Sequence, residues 1–514
     1  MSSKLATGTG VMAVTHHHLA TEAALGVMAA GGTAVDGAIA ANAVVGVVLP
    51  TACGIGGDLF ALVHRSGDPE PAVLNASGRA GSGVDAERLR RAGHSSIPYR
   101  GRETITVPGC VDGWVALSER FGRLPLAQVI WPAIVCAIEG FPASFELARS
   151  LEVIRSLIAG QPAAVALYPE GRPPSVDETI VRPDLAATLE AVAEGGRHSF
   201  YEGAVGEAIT RVTEGRIKAE DLARSSAEWV EPAGIDVFGR RAWTVPPNSQ
   251  GYLALAAAWV VEQLAPPRKF EDPTYTHLLV EASRAVDWER EDLVADPNFA
   301  PLSAKELLDP DRLRPRLGQI SPERRVDWPS SRQPSGGTTY LCVIDAEGMG
   351  VSLIQSNFAG IGCGLSAGDS GVFLQNRGAG FNLIAGHPNE LAPGKRPLHT
   401  LSPTLWTRDG RLDLLLGARG GYWQPQILLQ VISHLLYLEK SPAEAQALPR
   451  WTLDGDRLRT ERGLPEQGLV QRGHLVKEVG PQIGWGPVSL IAVGEDGTRT
   501  GAAEPRIDTA SVGS

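Results

Sequence analysis

Residues 336–344 read Gly336-Gly337-Thr338-Thr339-Tyr340-Leu341-Cys342-Val343-Ile344, a glycine pair that opens directly into a run rich in β-branched and aromatic residues. That composition predicts a strand. A second such run, Gly350-Val351-Ser352-Leu353-Ile354-Gln355-Ser356, follows after Asp345-Ala346-Glu347-Gly348. A turn of that kind between two β-rich runs predicts an antiparallel hairpin. Ahead of the glycine pair, the stretch from Asp309 to Gly337 is dense in Pro, Arg, Ser and Gly, which predicts an exposed, mobile linker.

A threonine at the junction of a linker and a strand has a specific chemical use. Its hydroxyl is a weak nucleophile without an adjacent base. If the chain is cut before Thr338, the new α-amino group, with an ordinary pKa of about 8, supplies that base. Glycine at 337 suits the cut, because it tolerates strained backbone and leaves its carbonyl open to attack. The plainer reading is a strand entered through a glycine turn, and these few residues do not separate the two.

The rest of the chain narrows the class. It has 514 residues, enough to bury a large core, and is 43% hydrophobic and 20% charged, as in ordinary globular proteins. A net charge of −11 argues against nucleic acid or an anionic membrane as partner, since both call for a basic face. The N-terminus does not read as a signal peptide, and the longest apolar stretches fall short of the roughly 20 residues of a membrane span. Five cysteines with no CxxC pair suggest neither a disulfide framework nor a zinc site. A cytoplasmic protein with no metal and no cofactor is expected.

Ala-rich residues 33–49 predict a buried helix capped by Thr33. The loop Cys53-Gly54-Ile55-Gly56-Gly57-Asp58 leads into a strand, LFALVH; it lacks the GxGxxG order of a nucleotide site and predicts a structural wall. Helices are expected over Gly109–Pro142 and through most of 145–230. LDLLLGARGG predicts a strand ending in a glycine turn, and PQILLQVISHLLYLE an amphipathic helix.

Motifs spread over nearly the whole chain resemble the gamma-glutamyltranspeptidase family of N-terminal-nucleophile hydrolases. They are GGTAVDGAIAANAVVGVVLP, CGIGGDLFALV, TVPGCVDGW, FGRLPLAQVIWPAI, GKRPLHTLSPT, GARGG and GAAEPRID, in that order. The resemblance implies an α/β (α+β) fold, a four-layer αββα sandwich. It implies autocleavage between Gly337 and Thr338, giving a large subunit 1–337 and a small subunit 338–514 that remain one domain as a heterodimer, with or without further oligomerisation. Thr338 would be the nucleophile, Ser356 its hydrogen-bonding hydroxyl neighbour, and Gly420 and Gly421 the oxyanion hole. Thr339 would be supporting structure.

The chain departs from a transpeptidase where that family grips glutamate. Ser77 stands at about the place of the carboxylate-binding arginine, Gly380 at that of the amine-binding carboxylate, and Arg377 replaces a neighbouring amide. His399 and Thr400 replace a serine pair, and Phe381 to Lys395 is a short connection. A cation where an ammonium should bind favours an anionic or neutral acyl group. Arg377, together with Arg79, is therefore expected to anchor a short amide acid, with His399 and Thr400 lining the pocket. QNRGAGF and PLHTLSPT look most like the oxamate-amidohydrolase branch, and the related cephalosporin acylases also lack the glutamyl grip.

The expected function is hydrolysis of a small, non-glutamyl amide through an acyl-enzyme. A gamma-glutamyl hydrolase or transpeptidase, and a non-processing binding protein, stay open. Arg377 also reads as an ion-paired arginine, His399 as a turn cap, His16-His17-His18 as a polar turn, and Cys342 and Cys363 as small core residues. Asp58 receives no catalytic role.

Overall fold

The computed structural model describes residues 4–329, 336–480, 486–507 and 509–513. The predicted hairpin forms: Gly337–Ile344 pairs antiparallel with Gly350–Phe358 through a turn in which the Asp345 carboxylate accepts from the Glu347 and Met349 amides. Every residue of both strands is buried. The hairpin is therefore the middle of a sheet, and both its faces need cover.

Among the described residues two seven-stranded antiparallel sheets stack face to face. The sheet holding the hairpin runs Ala510–Gly513, Met12–Thr15, Gly337–Ile344, Gly350–Phe358, Asp58–His64, Ala72–Ala76, Glu228–Val230. The other runs Leu5–Gly8, Arg499–Ala502, Val488–Val493, Arg411–Ala418, Thr404–Arg408, Arg240–Thr244, Ala233–Val237. Met12, Tyr340, Ile354, Leu405, Leu415 and Ile491 fill the space between them. Helices 18–29, 34–48, 110–121, 126–139 and 183–201 cover the outer face of the first sheet, and helices 252–264, 273–287 and 424–432 that of the second. This is the expected four-layer αββα sandwich. Strands from both sides of the Gly337–Thr338 bond share each sheet: Cys342 pairs with Val14, Ser356 with Asp58, Thr404 with Thr244.

Helix Ala34–Val48 is wholly buried, and Thr33 caps it as read from sequence. Thr33 Oγ1 accepts from the Asp36 amide at 3.3 Å and Asp36 accepts from the Thr33 amide at 2.8 Å, a reciprocal capping box. Thr33 Oγ1 also donates to Phe121 O at 3.0 Å. Thr33→Ala is expected to cost about 1–2 kcal/mol, read as a lower denaturation midpoint; an unchanged midpoint would show that the cap contributes nothing.

Three expectations need correction. The stretch after Asp309 is not simply a mobile linker: Pro310–Leu317 is a helix capped by Asp309, with Leu313 buried and Arg316 paired to Glu289 at 2.7 Å. Pro310 sits at the first turn, where a missing N–H costs nothing. Residues 330–335 of that stretch lie outside the described residues. The PQILLQVISHLLYLE stretch, 425–439, is not one amphipathic helix: Gln424–Ile432 is a helix buried on all sides, continued by a π turn over Ser433–Tyr437. His16 is not part of a polar turn. It is buried, and His17 is the N-cap of helix His18–Ala29. All five cysteines are free thiols, with Cys342 and Cys363 buried. Among the described residues no helix is long and apolar enough to cross a membrane.

Candidate active site

Thr338 sits at an irregularity in the hairpin. Gly337 pairs with Phe358 and Thr339 with Gln355, so one residue faces two, Ser356 and Asn357. A bulge of this kind re-aims a side chain out of the regular alternation. Thr338 Oγ1 lies 2.8 Å from the Gly337 carbonyl oxygen and 3.4 Å from Ser356 Oγ. Ser356 Oγ donates to the same carbonyl at 2.5 Å. Two hydroxyls thus converge on the peptide bond that precedes Thr338.

The glycine pair is required by packing more than by backbone freedom. A Cβ at Gly337 would lie 2.8 Å from both the amide nitrogen and Cα of Gly360, and one at Gly336 would lie 2.9 Å from Phe358 O. The same Gly336 position is 3.3 Å from Gly421 Cα. The Gly420–Gly421 turn therefore rests against the segment just before the Gly337–Thr338 bond. Both turn glycines have positive φ, 138° and 57°, a conformation other residues reach only with strain.

Arg377 is fully buried beside this centre. Its Nη2 donates to Ser356 Oγ at 3.3 Å and its Nη1 to Thr400 Oγ1 at 3.0 Å. The guanidinium stacks on Phe358 at 4.3 Å. Phe358 has φ of 73°, a strained value for a side-chain-bearing residue, and its amide donates to Ser356 Oγ at 2.7 Å. Burial lowers the Arg377 pKa to about 10, with the Asp58 charge opposing the shift, so the group is a cation at neutral pH. Among the described residues no carboxylate lies within ion-pair distance of Arg377, which sets it apart from the paired arginines of this protein.

His399 and Asp58 form a buried contact at 3.2 Å. His399 Nδ1 accepts from the Leu401 amide, so Nε2 carries the proton and donates to Asp58. Burial, then the Arg377 charge, pulls the His399 pKa down to about 3. His399 is thus a neutral donor that also caps a turn. Asp58, given no role from sequence, is a hub: its Oδ1 accepts from the Gly78 amide and from Gln375 Nε2, both at 2.9 Å. The signal for it was its place directly after Gly56-Gly57, at the start of a strand. The glycine loop itself packs on 355–357 as expected: Gln355 bonds both Gly54 N and Gly54 O, and a Cβ at Gly57 would strike Ser356 O.

Arg79 follows Gly78, whose amide bonds Asp58, but its side chain has other partners. It pairs with Glu228 at 2.9 Å and Asp296 at 3.0 Å, and donates to Gly394 O. Two carboxylates thus answer its charge, whereas among the described residues none answers that of Arg377. Ser77 is buried and bonded to Asn75 Oδ1 at 2.7 Å, and a Cβ at Gly380 would lie 2.5 Å from Leu398 O.

The chain can now be set beside known proteins. Residues 20–514 match the gamma-glutamyltranspeptidase family. The chain is 35% identical to the glutathione hydrolase-like YwrD proenzyme of Bacillus subtilis, over 99% of this chain and 100% of that protein. It is 32% identical to the oxamate amidohydrolase proenzyme of Klebsiella pneumoniae, over 98% of each. The cephalosporin acylase structure from Bacillus halodurans superposes with a TM-score of 0.93 at 32% identity, covering 100% of this chain and 97% of that one. A match of this extent, on this fold, makes the chain a member of the gamma-glutamyltranspeptidase family, an enzyme of the amidohydrolase and acylase kind.

Proposed function

We propose that the chain cuts itself before Thr338 and then hydrolyses a small amide that carries a carboxylate near its scissile carbonyl. In the first reaction Thr338 Oγ attacks the Gly337 carbonyl carbon. The C–N bond breaks, leaving an ester to Oγ and a free Thr338 amine, and water hydrolyses the ester. Ser356 donates to the carbonyl oxygen as it gains charge. The shared sheets keep 1–337 and 338–514 together as a heterodimer after the cut.

In the second reaction the freed amine takes the Thr338 Oγ proton as Oγ attacks the substrate carbonyl. The amide N–H groups of Gly420 and Gly421 hold the resulting oxyanion, an arrangement worth several kcal/mol. The C–N bond then breaks, and the proton on the amine passes to the leaving nitrogen. Water, deprotonated by the same amine, hydrolyses the acyl-enzyme and restores Thr338.

The observation that carries the substrate reading is Arg377, a buried cation without a carboxylate partner among the described residues, one hydroxyl away from Thr338. A bound carboxylate would satisfy it, with Thr400 beside it. The names of two relatives pull in different directions, oxamate amidohydrolase and glutathione hydrolase-like. The lack of space at Gly380 and the burial of Ser77 favour the first. Processed protein should turn over short amide acids such as oxamate at least roughly tenfold better in kcat/KM than a gamma-glutamyl anilide, a difference of about 1.4 kcal/mol in the transition state. A preference for the anilide would return the chain to the glutamyl reading.

A further inference from the structure

A second cluster of chemistry-bearing side chains lies outside this centre. His277 and Glu281 are one turn apart on helix Pro273–Asp287, and His474 follows helix Glu466–Gln471. All three are buried, and one ligand atom from each lies within 4.8 Å of the others. We propose that His277 Nδ1, His474 Nε2 and the Glu281 carboxylate bind one divalent cation of the zinc class, with a water or the second carboxylate oxygen completing four-coordination.

Three features support this. First, His277 Nε2 lies 2.7 Å from Ser321 O and so donates to it, which leaves the Nδ1 lone pair facing His474. A backbone carbonyl that fixes tautomer and ring plane is the usual outer partner of a metal-bound imidazole. Second, Glu281 Oε2 accepts from the Val326 amide at 3.0 Å, while Oε1 is buried beside the Trp328 indole and makes no hydrogen bond of full geometry among the described residues. A buried, half-satisfied carboxylate beside two imidazoles is costly unless a cation completes it. Third, the donor set suits the ion: two imidazoles and a carboxylate are a zinc ligand set. His277 Nδ1 and His474 Nε2 are 2.7 Å apart and share one proton. The cation would replace that proton, and bonds of about 2.0–2.1 Å open the nitrogens to roughly 3.3 Å. Because both imidazoles are neutral, the proton then sits on His474 Nδ1, a change of tautomer with no net release from the pair.

Arg284, Arg325 and Arg472 face His474 and oppose a cation there. Asp456 answers two of them, Arg284 at 3.1 Å and Arg325 at 2.5 Å. The position is informative. His277 and Glu281 precede Thr338, whereas His474 follows it, and Ser321 and Val326 lie on the stretch leading to Gly337. On the cleavage reading above, the ion would join the two subunits and anchor the large subunit's C-terminal stretch.

The test is a cobalt(II) titration of chelator-treated, full-length protein, followed by its visible d–d absorption, with zinc as competitor. Wild type should bind one equivalent, and His474→Gln and Glu281→Gln should each weaken binding at least about tenfold. X-ray absorption of the zinc-loaded wild type, which needs no variant, should show two imidazoles in the first shell. No stoichiometric binding at micromolar cobalt, or an oxygen-only shell, would overturn the proposal. So would undiminished binding in both variants, which would place the ion elsewhere, the His16–His18 run included. Repeating the titration on Thr338→Ala separates the two readings, because the site should load whether or not the chain is cut.

Discussion

Purified protein is expected to resolve into two fragments, 1–337 and 338–514, the second beginning Thr-Thr-Tyr, while Thr338→Ala stays whole. The geometry that leads to this is local. Thr338 Oγ1 and Ser356 Oγ both reach the Gly337 carbonyl oxygen, at 2.8 and 2.5 Å, and the Gly420–Gly421 turn lies against Gly336. Removing the hydroxyl removes the attacking atom, so no other group compensates. Amide hydrolysis should fall roughly 10⁴-fold or more, as when a single nucleophile is deleted from a catalytic unit that acts together. Thr338→Ser keeps an Oγ and should still cut. Intact mass with N-terminal sequencing reads the outcome. A wild-type chain that stays intact for days, or an alanine variant that still cuts at this bond, would remove Thr338 from the mechanism and favour a binding protein.

Arg377→Gln carries the second large effect. The guanidinium is buried, is cationic at neutral pH and has no carboxylate partner among the described residues. Leaving a bound carboxylate without its charge partner costs about 2–5 kcal/mol. Hydrolysis of a short amide acid should therefore fall roughly 10²- to 10³-fold in kcat/KM, mostly through KM, while a neutral amide of similar size changes little. Self-cleavage serves as the folding control and should persist, because Gln retains a donor near Ser356 and Thr400. Equal losses on anionic and neutral substrates would show that Arg377 orients Ser356 rather than binding an acid.

Residues close in sequence were legible without the structure. Alternating β-branched residues either side of Asp345–Gly348 specify a hairpin, because its register depends on neighbours. Thr33 and Asp36 cap their helix three residues apart. The motif order pointed to the αββα sandwich, which the sheets and helix layers bear out. What misled was composition without partners. Pro and Arg over 310–317 suggested a linker, but Asp309 caps a helix there and Leu313 is buried. Arg79 and Arg377 look alike as letters, yet one meets Glu228 and Asp296 and the other meets no carboxylate among the described residues.

The same distinction separates what each level decides for this protein. The chain's own pattern determined the hairpin and the glycine entry to Thr338, since short-range dihedral preferences and apolar periodicity act between near neighbours, while the layers were implied by the resemblance to the family. Only the tertiary structure decided which charges are answered and which are stranded. Asp58 and His399 meet across 341 positions, and His277 and His474 across 197. Burial that strips water from such groups is a property of the packed layers, and it is this that turns a buried arginine or a half-satisfied carboxylate into a place for a ligand.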